Sequence, residues 1–98
     1  MKSMEIFKDN HTISRSIYLS LLDNTLTLQS YDSDDGFTEE KIITVSDLCA
    51  LRKVMNVETN DDLFNLMRIR YSIAGAIDLF SEFLEKNKIE YQYHRFTD

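Results

Sequence analysis

The chain has 98 residues and a formal net charge of −6, and 43% of its residues are apolar. This length and composition predict one domain, over residues 1–98, with a single small core. The negative charge disfavours direct nucleic acid binding, because phosphate affinity rests mainly on Lys and Arg. No apolar run approaches the roughly 18 residues that a membrane-spanning helix needs, and the start, MKSMEIFKDN, lacks the apolar region of a signal peptide. We therefore expect neither a nucleic acid partner nor a membrane partner.

The chain contains a single cysteine, Cys49, within an apolar helical pattern. A lone cysteine cannot form an intramolecular disulfide, and this pattern predicts a small buried thiol. A reducing compartment, the cytoplasm, is therefore the expected location.

The N-terminal third predicts a β-hairpin. Before it, the first dozen residues are expected to be either mobile or an extra strand. Apolar residues alternate along residues 15–31 in the manner of strands, with Ile17, Leu19 and Leu21 on one side. Asp23 and Asn24 lie between the two halves, and both residue types tolerate the left-handed conformation of a tight turn.

A third strand and three helices follow. KIITV at 41–45 is apolar and β-branched, and it comes after a predicted loop that contains Gly36. Ser46 is positioned to cap a helix of about ten residues, and Thr59 or Asn60 to cap a second. The third helix is predicted from about 73 to 86, ending at Asn87 in the left-handed conformation. The predicted core faces are Leu48, Leu51 and Met55 in the first helix, Leu63, Leu66 and Met67 in the second, and Ile73, Ala76, Ile77, Phe80, Phe83 and Leu84 in the third.

The segment IEYQYHRF at 89–96 alternates again and predicts a fourth strand. Strands followed by helices favour an α+β fold, in which a small antiparallel sheet of about four strands packs against three helices on one face. Tyr91, Tyr93, His94 and Arg95 are typical of an interface if this strand is a sheet edge, although such tyrosines more often pack their rings and expose their hydroxyls.

The negative charge of the chain is concentrated in one segment, residues 23–40, which contains no Lys or Arg. The other eighty residues are nearly neutral. A local patch of one sign steers an oppositely charged partner, whereas charge that serves solubility is spread over the surface. The pattern therefore indicates a basic protein partner. The acidic residues of the segment are Asp23, Asp32, Asp34, Asp35, Glu39 and Glu40.

Aromatic residues flank the acidic residues of this segment. Tyr and Phe anchor interfaces, while carboxylates fix the orientation of a partner. We interpret the segment as a partner-binding loop; a solvated loop that only aids solubility is the alternative. The predicted contact residues are Tyr31, Asp32, Asp34, Asp35, Phe37, Glu39 and Glu40.

No catalytic or metal site is predicted. The run that starts at Asp32 resembles a calcium loop, but Gly36 falls at its fifth position rather than its sixth, and Ile43 takes the place of the twelfth-position Glu. His11 and His94 lie at opposite ends of the chain, so they do not suggest an acid–base pair. We expect no enzymatic activity, no cofactor and no metal.

The order of these patterns resembles a family of small bacterial proteins. The residues that carry the resemblance are the hairpin YLSLLDNTLTLQSYD, the stretch KIITVSDLCALRKVM, DDLFNLMRIRY and the closing LEKNKIEYQYHRF. Over residues 15–98 the chain resembles immunity proteins of contact-dependent growth inhibition systems, of the kind paired with RNase A-like toxin domains. The resemblance implies a cytoplasmic protein that binds its cognate nuclease toxin and blocks the active site.

Two other classes remain open at this point. An acidic adaptor would bind a protein partner that is no nuclease, and a small metal-dependent hydrolase is the weaker alternative. Oligomeric state does not follow from the pattern, and we expect a monomer. Genome context discriminates between the first two classes, because an immunity gene directly follows a large toxin gene.

Overall fold

The computed structural model describes residues 2–10 and 14–97. Five strands and three helices follow one another along the chain. The strands are β1 (Lys2–Asp9), β2 (Ser14–Leu22), β3 (Thr25–Asp34), β4 (Phe37–Val45) and β5 (Gln92–Thr97), and the helices between β4 and β5 are α1 (Leu48–Met55), α2 (Asn60–Arg70) and α3 (Ala76–Lys86).

All five strands form one antiparallel sheet in the order β1-β2-β3-β4-β5. The predicted α+β class, with a sheet packed against three helices, is confirmed. The strand count is five rather than about four, because the N-terminal segment pairs with β2 and forms the extra strand. A β-bulge at Ile6 interrupts that pairing.

Strand alternation determines which side of the sheet is buried. Ile17 and Leu19 of β2 and Leu26 and Leu28 of β3 are fully buried, as the alternation predicted. The turn between these strands is the predicted one: Asp23 and Asn24 have φ of 51° and 60°, so both take the left-handed conformation of a type I′ turn. Helices cover this face, and the core lies between the two layers. Its other members include Ile43, Val45, Leu48, Leu51, Met55, Leu63, Met67, Phe80 and Leu84.

The acidic segment is not a loop, which corrects the sequence-based interpretation. β3 continues to Asp34 and β4 begins at Phe37, so only Asp35 and Gly36 form the connection. Gly36 has a φ of 72°, a conformation that glycine adopts without strain. Most of the predicted contact residues therefore lie on paired strands.

The helix caps differ in part from the prediction. Asp47, not Ser46, caps α1: its carboxylate accepts a hydrogen bond from the Ala50 amide at 3.1 Å. Thr59 caps α2, with its hydroxyl oxygen 3.0 Å from the Asp62 amide nitrogen. α1 has eight residues rather than about ten, because Asn56 takes a left-handed conformation that ends it.

The third helix begins later than predicted. Ile73 precedes α3 and is exposed, because the helix starts at Ala76. Asn87 does not adopt the left-handed conformation at the end of α3; Lys88 does, with a φ of 57°. In α2, Leu66 is only half-buried, and Phe64 is buried in the core instead.

Two further expectations were wrong. Cys49 is exposed rather than buried, because it lies on the side of α1 that faces away from the core residues Leu48 and Leu51. The last strand begins at Gln92 rather than Ile89. Among the described residues, no helix is both long and apolar enough to cross a membrane.

Candidate protein-binding surface

The acidic residues of segment 23–40 do not form a single patch. Asp23 lies in the β2–β3 turn, whereas Asp34 and Asp35 lie at the other end of β3. The ten residues of β3 separate these ends by about 33 Å at 3.3 Å per residue. Asp23 therefore does not contribute to a surface that includes the β3–β4 turn.

Asp32 is buried rather than presented to solvent, with a relative exposure of 5%. It accepts two hydrogen bonds from Arg15, one from Nε to Oδ1 and one from Nη2 to Oδ2, both at 2.7 Å. The third guanidinium nitrogen, Nη1, donates to the Ala74 carbonyl at 2.9 Å. Hydrogen bonding to Asp32 raises the pKa of Arg15 above its ordinary value. The charge of Asp32 is thus neutralised within the fold.

Glu39 is also paired within the sheet. Arg95 on the neighbouring strand β5 donates from Nε to Glu39 Oε2 at 2.7 Å, and Lys41 Nζ lies 3.5 Å from Oε1. The hydrogen bond from Arg95, with a further contribution from Lys41, holds the pKa of Glu39 below its ordinary value. Two of the predicted contact residues, Asp32 and Glu39, are therefore occupied by internal ion pairs.

The remaining five predicted contact residues lie close together, and we call them the hairpin tip: Tyr31, Asp34, Asp35, Phe37 and Glu40. Asp34 and Phe37 are opposite one another in the last pair of the hairpin, and Tyr31 is opposite Glu40. Within residues 2–10 and 14–97, none of the three carboxylates forms an ion pair.

Both aromatic rings of the hairpin tip are accessible, with relative exposures of 40% for Tyr31 and 43% for Phe37. Strand alternation places them on opposite faces of the sheet. Phe37 shares the face of Ile43, six residues further along β4, but Phe37 is exposed whereas Ile43 is buried. Tyr31 lies on the uncovered face. A partner that binds both faces of the sheet at this end would contact both rings.

No family model, curated protein or solved structure matches this chain.

The face of the sheet away from the helices is uncovered, and we call it the open face. It contains Tyr18, Tyr31 and Phe96, all of them exposed, together with His94. His94 and Phe96 stack with ring centroids 6.4 Å apart. Tyr91 lies before β5 and is half-buried, and its hydroxyl donates to Glu85 Oε1 at 2.9 Å. Of the four aromatic and polar residues of the last strand that suggested an interface, Tyr93, His94 and Arg95 thus lie on β5 itself.

Features with other possible chemistry lie apart from the hairpin tip. A surface groove of about 590 Å³ lies at the far end of β4 and is lined by Ser46, Asp47, Glu90 and Tyr91 among others. Within the part of the chain that the structure describes, no group of three His, Cys, Asp or Glu side chains is arranged to hold a metal. His11 lies outside the described residues.

Sequence reasoning missed the two arginines that neutralise part of the acidic segment. Arg15 is two residues from Ile17 on β2, and Asp32 is four residues from Leu28 on β3. Strand alternation alone therefore places both charged side chains on the buried face. Arg95 was recognised only as part of the terminal strand. Its pairing with Glu39 depends on the register between β4 and β5, which places Arg95 directly opposite Lys41.

Proposed function

We propose that this protein is an immunity protein that binds and neutralises a basic nuclease toxin domain in the cytoplasm, with the hairpin tip as its principal contact. The proposal rests on one observation above all: three carboxylates, none of which forms an ion pair among the described residues, share one end of the sheet with two exposed aromatic rings. The sequence resemblance supplies the nuclease class of the partner.

The physical basis of inhibition is mimicry of phosphate. A nuclease that cleaves RNA presents cationic groups where phosphates bind. Asp34 and Asp35 at the turn and Glu40 on the opposite face from Asp34 offer those groups three anions, while Tyr31 and Phe37 supply the apolar area that lowers the dissociation rate. The immunity protein acts by occupying the site and needs no catalytic step of its own.

The tight turn of the hairpin tip favours this role because it limits the entropy lost on binding. Asp34 Oδ1 accepts a hydrogen bond from the Asp35 amide at 2.7 Å, and the flanking residues are held by β pairing up to Phe37. A surface already ordered in the free protein loses less conformational entropy when a partner binds.

The test is a calorimetric titration against the C-terminal domain encoded by the gene directly upstream, at low and at raised salt. We expect nanomolar binding that weakens as salt rises. The double variant Asp34→Lys with Asp35→Lys should slow association by on the order of tenfold to a hundredfold. The matched control is Glu58→Lys with Asp62→Lys, which changes the net charge equally at exposed sites near α2.

The outcomes of this titration distinguish an error in the proposed function from an error in the proposed contact surface. If the upstream domain does not bind at all, the immunity role is wrong and the adaptor class becomes the better hypothesis. If the domain binds but the tip variant and the control variant behave alike, the protein is an immunity protein that uses another surface. Toxin inhibition is then measured as protection of RNA from cleavage by the domain.

A further inference from the structure

The two edges of the sheet differ in their protection against strand addition. An edge strand presents unpaired backbone N–H and C=O groups, and natural proteins guard such edges with charged residues, bulges or covering elements. β1 has two of these devices, since the bulge at Ile6 interrupts its regular pairing and half of its residues are charged. Those charged residues are Lys2, Glu5, Lys8 and Asp9.

β5 has fewer of these protections, with one charged residue among its six. All six of its residues are exposed, it contains neither proline nor a bulge, and among the described strands it pairs with β4 alone. Its one charged residue, Arg95, is held by Glu39. Two large rings are accessible there, with relative exposures of 45% for Tyr93 and 58% for Phe96. Aromatic strands of low charge with a free edge are those that recruit a further strand.

We propose that β5 pairs with β5 of a second copy of this chain, in antiparallel orientation, about a two-fold axis at His94. A two-fold axis that passes through a residue of β5 keeps the open faces of both copies on the same side of the sheet. Two such registers, centred on His94 and on Arg95, pair most of the strand. Centring on Arg95 would place two guanidinium groups opposite each other, which is destabilising. Centring on His94 places Arg95 of each copy opposite Tyr93 of the other, a cation–π pair, and Gln92 opposite Phe96.

This arrangement also keeps the acidic surfaces apart. β5 ends near the hairpin tip, since Thr97 is opposite Glu39. Antiparallel pairing of two copies therefore places their hairpin tips at opposite ends of a ten-stranded sheet. The helices do not obstruct the pairing, because α3 lies over β3 and β4 and the side chains of β5 remain exposed. The dimer differs from the monomer expected from the sequence, and it leaves both tips free.

The interface is small, because six residues from each copy bury less than the roughly 1,200 Å² of a standard interface. We expect a dissociation constant in the range of about 10–100 μM. Sedimentation equilibrium over a concentration series should therefore show the mass rising from that of one chain to that of two. His94→Lys places two ammonium groups opposite each other and should weaken the dimer about fivefold or more. Ser3→Lys, an exposed position on the β1 edge, should leave the dissociation constant unchanged.

Disulfide trapping tests the register directly. The exposed Cys49 is first replaced by Ser, so that no native thiol competes. In that background His94→Cys should form a covalent dimer under mild oxidation, whereas Ser3→Cys should not. A monomer mass at every concentration up to about 500 μM would overturn the proposal. So would a dimer that His94→Lys leaves intact, or trapping at Ser3→Cys and not at His94→Cys. Circular dichroism confirms that each variant is folded.

Discussion

The ion pair between Arg15 and Asp32 predicts an unequal response when either partner is removed. Breaking a buried ion pair from one side costs about 3–5 kcal/mol, mainly because the other charge is left buried and unpaired. The Asp32 side chain is 7% exposed, whereas that of Arg15 is 31% exposed. Arg15→Met therefore leaves the buried Asp32 carboxylate without its cationic partner. Asp32→Asn leaves a guanidinium that reaches water and keeps its bond to the Ala74 carbonyl.

From this asymmetry we expect Arg15→Met to lower the free energy of unfolding by about 3 kcal/mol and Asp32→Asn by about 1–2 kcal/mol. For a domain of this size, 3 kcal/mol corresponds to a fall in Tm of roughly 12–24 °C. The double variant Arg15→Met with Asp32→Leu should recover to within about 1 kcal/mol of the native protein, because no charge is then buried.

Urea denaturation followed by far-ultraviolet circular dichroism measures these values, and it suits a chain without tryptophan. Lys8→Met, at an exposed cation of β1, is the matched control and should change stability by no more than about 0.5 kcal/mol. The reasoning is refuted if Asp32→Asn costs more than Arg15→Met, or if Arg15→Met is indistinguishable from the control.

Three further predictions concern the core, the pH response and the hairpin turn. Phe80→Ala, at a fully buried ring, should cost about 3–5 kcal/mol in urea denaturation, whereas Leu79→Ala at the exposed neighbour should cost less than about 1 kcal/mol. Because Arg95 holds the pKa of Glu39 low, this pair stabilises the protein above the unfolded-state pKa of about 4.3 and stops doing so as pH falls through the folded-state value. Between about pH 5 and pH 3, Tm should thus fall more steeply for the native protein than for Arg95→Gln, and parallel curves would contradict this. Gly36→Ala should cost about 1 kcal/mol, because the space beside Gly36 is open and only its positive φ opposes a side chain; a value near zero in the same assay would show that the turn rearranges.

Period-2 alternation and turn chemistry predicted the part of the fold that depends on local physics. The Asp23–Asn24 turn fixed the β2–β3 register, and the apolar residues on either side of it then had to share one face. Helix boundaries were less predictable, because adjacent residues compete for the same role. Ser46 and Asp47 are both residue types that cap helices well, and Asp47 is the one that caps α1.

The sequence predicted the region of the candidate surface but not which of its residues are available to a partner. Local composition identified an acidic segment, yet it could not show which carboxylates meet a cation from another strand. Asp32 is paired by Arg15, seventeen residues away, and Glu39 by Arg95, fifty-six residues away. Such pairings depend on strand register and on which face of the sheet a residue occupies. Asp34 and Asp35 are exposed at the end of the hairpin, where the chain turns from β3 to β4.

The order of strands in the sheet has a consequence for how the chain folds. Strands β1 to β4 pair with their immediate neighbours in sequence, so each pairing closes a short loop and is fast. β5 differs, because it joins β4 across about fifty residues that include all three helices. We expect β5 to dock last, after the helices have packed, and to open first in the native state. Its amide hydrogens should then exchange with solvent at a lower free energy than those of β3, which is paired on both sides.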